Sequence, residues 1–229
     1  MMRAEASSGE DRFSEVAARV AAVRERIDAV AAGRAVRIVA VTKGFGADAV
    51  DAAVAAGITD IGENYAQELT AKASAGAGGG AARWHFIGAV QRNKVAHLAP
   101  FVAVWQTVDR TAVAEAIARH SPGATALVQV NLTGAAQRAG CGWDDVDAVV
   151  GAARRAGLTV TGLMGIGPEG PPAPELFRRL AGTAARLGLG EVSMGMSGDY
   201  EAAVAEGSTM VRLGTVLFGP RPAPADLRR

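Results

Sequence analysis

Val36-Arg37-Ile38-Val39-Ala40-Val41-Thr42-Lys43-Gly44-Phe45-Gly46 is a strand-length, β-branched run that stops at glycines, and an alanine-rich stretch with helical spacing follows from Ala47. The same unit recurs along the chain. Short apolar runs at 36–42, 59–62, 84–88, 102–107, 125–131, 159–164, 191–194 and 210–213 alternate with helical stretches that begin near Ala47, Tyr65, Gln91, Arg110, Asp144, Pro174 and Ser197. Strands returned by helices must lie parallel, and eight of them predict a closed (β/α)8 TIM barrel, with an open doubly wound sheet as the alternative. Upstream, Phe13, Val16, Val20, Val23, Ile27 and Val30 recur at three and four residues with Arg and Glu between them. That spacing predicts an extra N-terminal helix over 12–32, stopped by Gly33. Alternation resumes after the Gly-rich segment 73–82 and the Pro-rich segment 167–174. The chain 1–229 therefore reads as one domain, with 1–10 expected to be disordered and 220–229 to form a C-terminal tail.

A length of 229 residues matches one such barrel without large insertions. Lys and Arg number 24 against 23 Asp and Glu, for a net charge of +1 without a long run of one sign, which argues against a nucleic-acid partner. Cys141 is the only cysteine, so neither an intramolecular disulfide nor a cysteine-rich metal site can be built. His97 and His120 have no acidic or histidine neighbours at ligand spacing, and no metal is expected. No uninterrupted apolar stretch is long enough to span a bilayer, and the N-terminus lacks the pattern of a secretory signal. A cytoplasmic monomer that binds no membrane is the expectation.

In this architecture functional side chains gather at the carboxyl ends of the strands, and phosphates commonly sit on the loops after strands seven and eight. Strand one ends at Lys43, with Gly44 and Gly46 allowing a sharp turn. A lysine there is either a solvated cap or, if desolvated, an amine nucleophile toward an aldehyde. Strand seven runs into Ser193-Met194-Gly195-Met196-Ser197-Gly198-Asp199 before a helix, the ingredients of an anion site, although Ser197 also suits a helix N-cap. In strand eight Met210, Arg212 and Gly214 share one face by alternation, so Arg212 points into the barrel, where it needs a partner and a ligand is a natural one. Gly214 permits close backbone approach, and Thr215 offers an amide and a hydroxyl. Asn64 follows strand two and is either a ligand contact or the N-cap of a capping box with Gln67. His85, alone in an apolar strand, fits a hydrogen-bonded core residue better than a catalyst. Gly78-Gly79-Gly80 lacks the flanking elements of a phosphate loop and reads as a spacer.

Six ordered segments carry a resemblance. They are Ala40-Val41-Thr42-Lys43; Gly62-Glu63-Asn64-Tyr65-Ala66-Gln67-Glu68; and Trp84-His85-Phe86-Ile87-Gly88 with Gln91, Asn93 and Lys94. Then come Gly162-Leu163-Met164; Ser193-Met194-Gly195-Met196-Ser197; and Gly207-Ser208-Thr209-Met210-Val211-Arg212 with Gly214, Thr215, Phe218 and Gly219. Together they resemble the pyridoxal phosphate homeostasis protein family, the YggS and PROSC type, whose fold is similar to the fold-type III barrel domain of alanine racemase. The resemblance implies that pyridoxal 5′-phosphate is the cofactor and that Lys43 forms the internal aldimine. It further implies that Ser197, Gly214 and Thr215 hold the phosphate, Arg212 faces the pyridine nitrogen, and Asn64 lies beside the ring or its phenolic oxygen. Met194 joins this cofactor-binding set by the same resemblance, with His85 and Tyr65 behind it. A permanent cation at the ring nitrogen opposes its protonation and weakens the cofactor as an electron sink.

The chain departs from the family pattern at Gly44-Phe45, where many relatives carry threonine or lysine and then proline, in the loop 131–138, and in the short loop 167–174. The function implied is storage, buffering or delivery of the cofactor to apoenzymes that require it, with little or no turnover. The alternative is an amino-acid racemase, which needs a second acid-base group; the only tyrosines, Tyr65 and Tyr200, each adjoin a motif. A Schiff-base aldolase without cofactor is a third class.

Overall fold

Parallel pairing runs in chain order from the first strand to the eighth, and the eighth returns to the first, so the sheet is closed. The strands are β1 (Arg37–Val41), β2 (Asp60–Glu63), β3 (Arg83–Phe86), β4 (Val102–Val108), β5 (Thr125–Val130), β6 (Thr159–Gly165), β7 (Glu191–Ser193) and β8 (Met210–Leu213). The computed structural model describes residues 7–221, so most of the expected tail and residues 1–6 of the expected disordered start lie outside the described residues. The first helix, α1 (Ser7–Val30), already begins within 1–10. It is followed by α2 (Ala47–Ala55), α3 (Ala66–Ser74), α4 (Val95–Leu98), α5 (Thr111–His120), α6 (Val146–Arg155), α7 (Pro174–Arg186), α8 (Tyr200–Ala205) and α9 (Thr215–Phe218).

Alternation along the strands separates two interiors. On β1, Ile38 and Ala40 face the helices and join the main apolar core, which also takes Ala49, Val50, Ala52 and Ala53 of α2. Val16, Val20, Val23 and Ile27 of α1 are 2–4% exposed and belong to the same core, and Arg19 donates to the Leu217 carbonyl at 3.2 Å. Each such side chain contributes about 1.5–3 kcal/mol on burial, enough in sum to keep a helix outside the strand repeat docked.

The second interior is the lumen. Val104, Leu127 and Met164 form a small apolar cluster there with Ile166 against it. At the amino ends of the strands the lumen is ionic: Arg37 pairs with Glu191, which also accepts from Thr161 at 2.7 Å, and Arg83 lies 3.3 Å from Asp60.

Strand limits fall within about two residues of expectation, and β3 shows why they shift. The Ile87 amide still donates to the Glu63 carbonyl at 2.9 Å, after which Gly88 passes so near β2 that a Cβ there would sit 1.9 Å from the Asn64 carbonyl oxygen. α9 is an element the sequence reading lacks. Its four residues follow β8 at once, leaving no apolar period long enough to detect.

Candidate functional site

At the carboxyl ends of the strands lies a cavity of about 300 Å³, at the lower end of the range for small-molecule sites. Lys43, Asn64, Ser197, Arg212, Gly214 and Thr215 all line it. The fold brings them together because each sits at or just beyond the end of β1, β2, β7 or β8. The apolar part of the wall is Val41, Phe45, Ile87, Met164, Ile166 and Met196, and Arg221 closes one side.

The other expected positions lie off the cavity wall. Met194 is 0% exposed and packs in the core between barrel and helices, not on the cavity wall. The cause is alternation: Ser193 takes the inward place on β7, so its neighbour turns outward, and Met196 reaches the cavity instead. Tyr65 is 57% exposed and lines a neighbouring cleft with Gln91 and Lys94. His85 is 0% exposed in the lumen, hydrogen bonded on both ring nitrogens, as a core histidine should be. Neither N-cap alternative is realised. The residue that caps α3 is Tyr65, without a side-chain bond, and α8 begins only after Asp199. Gly44 adopts φ +73°, but Gly46 has φ −75° and is extended.

The backbone around Lys43 is held from behind by α3. Lys72 Nζ donates to the Thr42 carbonyl at 2.8 Å, and the Gly44 amide donates to Glu68 Oε2 at 2.7 Å, so the residues before and after Lys43 are both pinned. Lys72 Nζ also lies 2.6 Å from Glu63 Oε1, which accepts from Thr42 Oγ1 at 2.6 Å. Partial burial holds the Lys43 ammonium below the usual lysine range; Arg221 and Arg212 push the same way, and Glu63 and Glu68 oppose them. A depressed pKa enlarges the neutral, nucleophilic fraction at a given pH. Arg221→Ala removes a like charge, so the pKa of Lys43 rises. Its reaction rate with an aldehyde, followed by absorbance across pH, is then expected to shift to higher pH and to fall severalfold at neutrality. An unmoved profile would mean that Arg221 has no hold on the amine.

Arg212 is 4% exposed. Its Nη1 donates to the Ser193 carbonyl at 2.8 Å and to Ser193 Oγ at 2.7 Å, and its Nη2 donates to the Gly165 carbonyl at 2.8 Å. These acceptors are neutral. Burial pulls the guanidinium down to about 10, opposed by the more distant Asp199. Across the cavity, Ser197 Oγ accepts from the Val216 amide at 3.3 Å, tying the β7 loop to α9. The Met196 amide donates to Asp199 Oδ1 at 2.6 Å and folds that loop on itself. At Gly214 a Cβ would lie 3.2 Å from the Val41 carbonyl oxygen, so the backbone hugs β1.

An amine, a buried guanidinium and a Ser, Gly and Thr loop pair thus meet on one small cavity, a donor set suited to an anionic ligand that carries an electrophilic carbonyl. Among the described residues no group of three or more His, Cys, Asp or Glu could hold a metal ion.

Residues 15–222 match the family model for the alanine racemase N-terminal domain, which defines the class of barrel. A pyridoxal phosphate homeostasis protein of Pseudomonas aeruginosa is 40% identical over 93% of this chain and 100% of its own length. The chain belongs to the pyridoxal phosphate homeostasis protein family. PipY of Synechococcus elongatus, solved with PLP bound, is 32% identical with a TM-score of 0.79, covering 89% of this chain and 100% of its own. Alanine racemase of Corynebacterium glutamicum is 18% identical with a TM-score of 0.67; 93% of this chain covers 62% of that one, a likeness of fold alone.

Proposed function

We propose that this protein binds pyridoxal 5′-phosphate reversibly in the cavity and holds it for storage, buffering or delivery, with little turnover. The observation that carries the reading is the convergence of Lys43 and Arg212 on one cavity beside the Ser197 and Gly214-Thr215 loops. When bound, the cofactor supplies an aldehyde that condenses with a primary amine and releases water. Lys43 is the amine. Arg212 would offer its cation to the ring, Ser197, Gly214 and Thr215 would receive the phosphate, and Asn64 would supply a further polar contact. Family membership and the PLP-bound relative support binding of this cofactor.

The composition of the described wall supports retention over turnover. Among the described residues that line the cavity, Lys43, Arg212 and Arg221 are the ionisable ones, and none of them is a carboxylate, imidazole, phenol or thiol. Tyr65 faces the neighbouring cleft and Tyr200 is 3% exposed in the core. A racemase needs a second proton carrier opposite the first, and the described residues of this wall include none. The receiving partners in this reading are apoenzymes that require the cofactor, and the whole chain acts as one cytoplasmic domain, as a monomer.

The test is to incubate the loaded protein with a broad panel of amino acids in deuterated water and, separately, with a cofactor-free enzyme. Expected are transfer of the cofactor to the enzyme and no sustained exchange at any α-carbon. Steady deuterium incorporation would replace this reading with that of a racemase or related enzyme.

A further inference from the structure

Below the cavity the lumen holds a line of polar side chains that starts from Arg212 on the cavity wall. Arg212 Nη1 donates to Ser193 Oγ at 2.7 Å, and Ser193 Oγ donates to Gln106 Oε1 at 2.7 Å. Gln106 Nε2 lies 2.7 Å from His85 Nδ1, and His85 Nε2 lies 2.7 Å from Asp60 Oδ1. His85, Gln106 and Ser193 are each 0% exposed.

The donor and acceptor inventory fixes the direction of every link. The Asp60 carboxylate only accepts, so His85 carries a proton on Nε2. Nδ1 of a neutral ring only accepts, so Gln106 turns its NH2 toward it and its carbonyl toward Ser193. The Ser193 hydroxyl gives its proton to that carbonyl and is left to accept from Arg212. All four donations run one way, from guanidinium to carboxylate. Burial favours the neutral ring that this requires, outweighing the pull of Asp60, while the charges of Arg83 and Arg37 act in the same direction as burial. A second ring proton would reverse the Gln106 amide, set its NH2 against Ser193 and leave the serine proton without this acceptor.

We infer that Asp60, His85, Gln106 and Ser193 form a one-way hydrogen-bond chain that positions Arg212 against the cofactor ring, with Gln106 as its central positioning residue. The inference rests on the reading of the cavity as a pyridoxal phosphate site. Chains of this kind polarise each member in turn, so Asp60 at the amino ends of the strands supports a buried cation whose direct partners are neutral. Gln106 also lies 3.1 Å from Met210 Sδ, which fills the lumen beside it and limits other orientations of the amide.

Two measurements test it. In the cofactor-free full chain with ¹⁵N-labelled histidine, one of the three histidines should show a neutral ring protonated on Nε2. A doubly protonated His85, or a proton on Nδ1, would overturn the chain. In protein loaded with pyridoxal phosphate labelled at the ring nitrogen, Gln106→Leu should move the ring-nitrogen resonance and weaken binding about tenfold, as for one lost hydrogen bond to a charged group. Ser193→Ala removes a single hydroxyl and should do the same where Gln106→Leu fails to fold. An unchanged resonance and affinity in these variants, while Arg212→Leu alters both, refutes the positioning role alone. No change in Arg212→Leu refutes the assignment of the cavity itself, and the inference with it.

Discussion

Lys43→Ala protein mixed with pyridoxal phosphate and treated with borohydride is expected to yield no pyridoxyl-lysine at the site, and to bind the cofactor about 100-fold more weakly, roughly 3 kcal/mol. The Ser197 and Gly214-Thr215 loops proposed to hold the phosphate are untouched by the substitution, as is Arg212, so residual binding is non-covalent and no other lysine lines the cavity to take over. Folding should survive. The turn at Lys43 is held through backbone groups of Thr42 and Gly44, and the change removes a cation from beside Arg212 and Arg221. The decisive measurement is mass spectrometry of the reduced protein together with its absorbance before reduction. Wild-type labelling of the alanine variant in the same peptide would end the case for Lys43.

Lys72→Met is expected to cost about 3–5 kcal/mol of stability at neutral pH, the range for removing one partner of a buried ion pair. Lys72 is 7% exposed and Glu63 0%, and Glu63 Oε2 has no hydrogen-bond partner even with the pair intact. Burial already pushes the Glu63 carboxyl up against the pull of Lys72 and Thr42. Without the ammonium it rises further. An acid whose folded pKa exceeds its unfolded one loses stability as pH rises between the two, so the deficit should be small at acid pH and grow toward neutrality. Urea unfolding at both ends of that range reads it directly. Combining Lys72→Met with Glu63→Leu should recover much of the loss, because two apolar side chains then replace the pair. A deficit that does not depend on pH would mean that Glu63 is not its source.

Much of the barrel was legible because its signal is local: β-branched runs of strand length, alanine-rich returns, and an α1 whose spacing places Val16, Val20, Val23 and Ile27 on one buried face. Alternation then put Arg212 inside correctly. The same rule applied to β7 would have turned Met194 out and Ser193 in, and the error there came from treating a motif as a block instead of a strand with two faces. What could not be read was the meeting of distant residues. Gln106 sits in β4 with nothing around it to suggest a site, and only closure of the barrel brings it to Ser193 and His85. Arg221 lies beyond the final strand, where charge pattern carries no address. Nothing near Lys72 in the sequence marks it, and only the packing of α3 brings it over the end of β1.

Closure has a kinetic side. β1 pairs with β8 over Arg37–Ala40 and Met210–Leu213, joining the two ends of the strand order, so this seam cannot form until the last strand is available. The proposed cofactor site lies across it, with the anchoring amine at the end of β1 and the phosphate loops on β7 and β8. A molecule held there works as a staple between the first strand and the last. Its binding energy is felt wherever the barrel would unzip, and amides along this seam should exchange with solvent more slowly in the loaded protein than in the empty one.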